Sequence, residues 1–76
     1  MNKVRRKSID EIIAKIQKLS DEIECIIEGE EEYLDNLPKN LQDFERYERA
    51  DDACSAMKEA YNNLEEAVWY LEIAAE

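Results

Sequence analysis

Histidine is absent from this chain of 76 residues, and glycine and proline occur once each, as Gly29 and Pro38. Each shortage removes a class of function. Without histidine there is no imidazole to activate a serine or cysteine nucleophile, and no Glu-x-x-His pair of the kind that di-metal helix bundles turn inward. A single glycine does not make a phosphate-cradling loop. Two cysteines, Cys25 and Cys54, do not make a disulfide scaffold and are read as reduced side chains. No apolar run approaches the length of a membrane span, and the basic start lacks a signal-peptide core because Asp10, Glu11 and Lys15 interrupt it. The expectation is a non-enzymatic protein of the cytoplasm, without metal or cofactor.

Basic residues are also scarce. Ten Lys and Arg face 20 Asp and Glu, for a net charge of −10, which repels a phosphate backbone and excludes general nucleic-acid binding. The few cations are crowded at one end, where Lys3, Arg5, Arg6, Lys7, Lys15 and Lys18 precede nearly all the acids.

What is present is the composition of long helices, rich in Glu, Ala, Leu, Ile and Lys. The pattern predicts a first helix over about 8–35, a bend over about 36–43 and a second helix over about 44–75. Ser8 and Glu11 have the spacing of a capping box, leaving residues 1–7 frayed. In the first helix a heptad seam runs through 9, 16, 23 and 30 at a and 12, 19, 26 and 33 at d. Ile13, Ile27 and Leu34 widen it at e, which suits a bundle better than a two-stranded coil. Pro38 stops the first helix, and Asn40 or Asp43 caps the second. The second seam takes Tyr47, Cys54, Tyr61, Val68 and Ala75 at a, with Ala50, Met57, Leu64 and Leu71 at d. Beside it runs a stripe of small residues, Ala53, Ala60, Ala67 and Ala74, which admits a close neighbour. Trp69 and Ile73 lie on another face.

Folded about Pro38, the chain sets Ile9 against Val68, Ile12 against Leu64, Ile16 against Tyr61, Leu19 against Met57 and Ile23 against Cys54. Glu30 falls level with Tyr47, near Arg46 and Arg49, either buried among them or simply wet. The fold class is all-α: an antiparallel helical hairpin. Two helices bury little core, so the hairpin is expected to associate with itself into a four-helix-bundle type of oligomer. The expected interface is Ala53, Ala60, Ala67, Trp69 and Ile73. At the bend, Tyr33, Asn36, Lys39, Asn40, Gln42, Arg46, Tyr47 and Arg49 gather tyrosines, amides and cations, a candidate site for a small anion or nucleotide. The alternative reading makes them caps and surface ion pairs.

The stretch Glu31-Glu32-Tyr33, then Asp35-Asn36-Leu37-Pro38-x-Asn40-Leu41-Gln42 and Glu45-Arg46-Tyr47-Glu48, followed by an acidic alanine repeat containing Leu-Glu-Glu-Ala, resembles a group of short phage and prophage proteins of Gram-positive bacteria. The resemblance departs at Asp43-Phe44, where the group commonly has Gly-Ser. It implies a phage-type context and a small oligomeric accessory or counter-defence factor in the host cytoplasm. On that basis the chain is expected to neutralise a host factor. Its acidic helical surface would engage an unidentified host protein, or its bend would sequester a small nucleotide. A purely structural assembly or scaffold element is the alternative.

Overall fold

The computed structural model describes residues 1–37 and 44–76. Two long helices, α1 (Lys3–Asn36) and α2 (Phe44–Ala75), pack side by side as a hairpin. At ~1.5 Å per residue they are each about 50 Å long, and the molecule extends 59 × 15 × 11 Å.

α1 starts earlier than the capping box predicts. Asn2 is the N-cap: its backbone is extended and its Oδ1 accepts from the Arg5 N–H at 2.8 Å, while Arg6 N–H donates to the Asn2 carbonyl at 3.1 Å. The first of these satisfies one of the four orphan donors of the first turn, and the second is the first bond of the helix ladder. Ser8 Oγ instead donates back to the Val4 carbonyl at 3.2 Å, inside the helix. Residues 3–7 are therefore helical and not frayed. Lys and Arg are good helix formers, so a good cap was enough to extend it past the single β-branched Val4. At the other end Leu37 is extended (φ −71, ψ 133), as the residue before a proline should be. The proposed caps Asn40 and Asp43 lie outside the described residues.

The packing of α2 follows the expected frame. Ala50, Cys54 and Val68 are buried, and Met57, Tyr61, Leu64, Leu71 and Ala75 are half-buried. Only Tyr47, at the first a position, stays exposed. α1 departs from its expected frame. Its buried residues are Ile13, Ser20, Ile27 and Leu34, flanked by half-buried Ile9, Ile16, Ile23, Glu30 and Leu37. The former a and e columns face α2, and the former d column, Ile12, Leu19, Ile26 and Tyr33, is 46–59% exposed. The physical reason is that one helix covers only two heptad columns, and α1 carries three.

The register is shifted as well. Leu34 packs with Ala50 and Cys54, and Glu31 pairs with Lys58. Each α1 residue therefore meets α2 roughly one heptad further along than a bend centred on Pro38 allows. Ile12 and Leu19 do not face α2 at all. α1 ends at Asn36, before Pro38, and the described part of α2 begins at Phe44.

The core that results is thin. Its larger members are Ile13, Ile27, Leu34 and Val68, with Ala50 and Cys54 between them. Among the described residues Ser20 is the most deeply buried, 1% exposed, and its Oγ has no hydrogen-bond partner. An unsatisfied buried hydroxyl costs about 1–3 kcal/mol. Ser20→Ala removes that cost at nearly the same volume. It should raise stability by about 1 kcal/mol, read from the midpoint of urea unfolding at unchanged slope.

Candidate functional site

The hairpin has two unlike long sides, and the inward residues define them. In antiparallel helices the columns preceding each inward stripe fall on one side of the pair, and the columns following it fall on the other. On the following side α1 presents Asp10, Gln17, Glu24 and Glu31, and α2 presents Asp51, Lys58, Glu65 and Glu72. The contacts agree. Lys58 Nζ lies 2.8 Å from Glu31 Oε1, and Tyr61 feels Glu24 from across the pair and Glu65 from its own helix. Asp21, Glu28 and Asp35 extend the acidic surface outward along α1.

The negative field there is legible in the titrating groups. Tyr61 is held above the ordinary tyrosine range, first by Glu24, then by Glu65, burial and Asp21. Lys58 is raised first by its hydrogen bond to Glu31 and then by that carboxylate's charge. Burial pushes the Cys54 thiol up, and Glu30 and Glu31 add to it, so Cys54 is an inert thiol inside the hairpin. Cys25 is exposed and free, on the outer surface of α1.

All three raised groups make the hairpin sensitive to alkali. A group whose folded pKa exceeds its unfolded value contributes stability fully below the unfolded value and loses it as pH rises through the folded one. The ordinary values are 9.0 for Cys54, 10.0 for Tyr61 and 10.5 for Lys58. Stability should therefore fall as pH rises above about 9, and Lys58→Met should weaken the part of that fall above about 10, read from thermal midpoints across the range.

The other long side is apolar. α1 presents Ile12, Leu19, Ile26 and Tyr33, and α2 presents Ala53, Ala60, Ala67 and Ala74. Outside them stand Lys15, Glu22 and Gly29 on α1, and Arg49, Ala56, Asn63 and Tyr70 on α2. Among the described acidic residues, Glu22 alone falls in these columns.

The expected site residues divide between described and undescribed parts of the chain. Lys39, Asn40 and Gln42 lie outside the described residues. Tyr33, Asn36, Arg46 and Arg49 are exposed and fall on the apolar side at the bend end, and Tyr47 is exposed beside the seam. Glu30 is half-buried, but it lies by Cys54 and not level with Tyr47. Among the expected interface residues, Ala53 and Ala60 are exposed and Ala67 is half-buried. Trp69 and Ile73 are exposed on the outer surface of α2, away from the alanine column, and Trp69 packs edge-to-face on Tyr70 at 4.9 Å. The sequence reading missed that the neighbour of the alanine column is the Ile12–Tyr33 column. The signal was its strict seven-residue spacing.

Among the described residues, no group of three or more His, Cys, Asp or Glu is placed to hold a metal ion, and no helix is long and apolar enough to cross a membrane. No family model, curated protein or solved structure matches this chain.

Proposed function

We propose that this chain is a homo-oligomeric, non-enzymatic binding protein whose acidic side engages a basic surface of a protein partner. The observation that carries the reading is the segregation of charge: the acids of both helices line one long side, around Glu24, Glu65 and Glu72, while the opposite side holds almost none. A rigid negative strip about 50 Å long is suited to occupy a basic groove, such as the nucleic-acid channel of an enzyme. The phage-type context implied by the bend motif makes that partner a host defence factor, which the chain would neutralise by occlusion.

The test is capture from host extract on immobilised wild type and on a Glu24→Lys, Glu65→Lys, Glu72→Lys variant. The reading expects a basic protein that elutes between about 0.1 and 0.5 M salt and is missing from the variant. A protein retained equally by both contradicts it.

A second reading is supported by Tyr33, Asn36, Arg46 and Arg49 sharing one side at the bend end. Arranged so, they suit a small phosphate-bearing ligand. Cyclic or ADP-ribose-type nucleotides should then raise the thermal midpoint of the wild type, and Arg49→Ala should abolish the rise.

A further inference from the structure

We propose that the apolar long side is the contact between two copies of this chain, with α1 of each packed antiparallel on α2 of the other and both bends at the same end. The proposal deepens the self-association in the reading above and does not depend on what the acidic side binds.

Three observations select a second copy as the occupant. The first is charge. A molecule of net charge −10 repels its own copies through any acidic surface, and among the described residues this side carries one acid, Glu22. Placing it at the interface turns both acidic sides outward.

The second is shape. On one side of each hairpin a ridge of large residues lies beside a groove of alanines, both repeating every seven residues. A two-fold axis along the molecule's length sets each ridge on the other copy's groove, twice over, which is how an isologous contact is made self-complementary. That axis leaves height unchanged, so the register within one chain carries over to the contact. Ile12, Leu19 and Ile26 then come to the heights of Ala74, Ala67 and Ala60, each large side chain over a small one. At the rims Lys15 comes level with Tyr70 of the other copy and Glu22 with Asn63, so no like charges oppose. The broad side, 59 by 15 Å, amounts to about 900 Å², comparable with the roughly 800 Å² that each partner gives to a standard interface.

The third is Gly29. It lies mid-helix with ordinary backbone geometry, and a Cβ built on it meets nothing within 4 Å. Among the described residues nothing requires glycine there, although glycine weakens a helix. Under the proposed axis its neighbour at the rim is Ala56 of the other copy, so two small residues meet there and a large side chain at 29 would hold the two helices apart.

The experiment uses two single-cysteine variants made after replacing Cys25 by serine and Cys54 by alanine. One carries Gly29→Cys and the other Ala56→Cys. Mixed and oxidised, they should give a cross-linked dimer in at least about tenfold excess over either variant oxidised alone. Cross-linking of each with itself but not with the other would overturn the arrangement. Gly29→Leu, in the otherwise natural chain, fills space that is open in the single hairpin and improves helix propensity. Its helical signal should be retained while its self-dissociation constant rises about tenfold or more. Unchanged self-association of Gly29→Leu overturns the proposal. A monomeric protein whose acidic side still captures its partner defeats this inference alone, and a dimer that captures nothing defeats the acidic-side reading alone.

Discussion

Ile27→Asp should unfold the hairpin, while Ile26→Asp, one residue away, should leave it folded. Ile27 is buried between the helices, level with the middle of α2, whereas Ile26 is 59% exposed. A carboxylate at position 27 would lose the burial of an aliphatic side chain and sit unpaired beside Glu30 and Glu31, in a region already rich in negative charge. Truncating a buried isoleucine alone costs about 2–5 kcal/mol, and a domain of this size has little more than that to lose. At position 26 the charge points into water in the single hairpin. Dilute Ile26→Asp should unfold in urea within about 0.5 kcal/mol of the wild type. It should also lose any dependence of its midpoint on protein concentration, because the contact between copies is gone. Circular dichroism through a urea titration, at two protein concentrations, reads both effects. A larger loss at 26 than at 27 would mean that α1 packs through its other pair of columns.

Reversing Glu24, Glu65 and Glu72 together should weaken partner capture by about a hundredfold or more and leave the hairpin at least as stable. The two effects part because the acids do different things in the free and bound molecule. In the free chain Glu24 and Glu65 repel each other across the pair, a field strong enough to hold the Tyr61 hydroxyl protonated beyond its ordinary range. Lysines there relieve that repulsion, and the one at position 24 can pair with Asp21 and Glu28 along α1. In a complex with a basic surface the same positions carry the attraction, and truncating a charge in a close pair costs several kcal/mol. The measurement pairs titration of the captured partner with a thermal melt of the free variant. A variant that loses binding only because it unfolds would count against the acidic side as the recognition surface.

The sequence made the hairpin and the inner face of α2 legible and left α1 ambiguous, for one physical reason. α2 has two columns of sizeable apolar side chains, so its packing frame had one solution. α1 has three, and two adjacent pairs of columns satisfy a heptad equally well. The chain packs the pair that includes Ser20, a polar residue, and leaves out Leu19. Local hydrophobicity favours the opposite choice. An exposed Ile12, Leu19, Ile26 and Tyr33 makes physical sense if those residues are kept for a second contact. The early start of α1 was hidden because Asn2 caps a basic stretch without apolar periodicity. The register was hidden because Pro38 fixes where a helix stops and says nothing about how many residues the turn consumes. The candidate bend site was legible as a list of residues, and the shared side of Tyr33, Asn36, Arg46 and Arg49 follows only once the inward columns are known.

The central claim is that the third apolar column of α1 belongs to an interface between copies. Sedimentation equilibrium of the wild-type chain from about 5 to 100 µM tests it most directly. The account predicts a mass twice the 9.0 kDa of the chain, falling towards 9.0 kDa on dilution or on Gly29→Leu. A mass of 9.0 kDa at every concentration would contradict it.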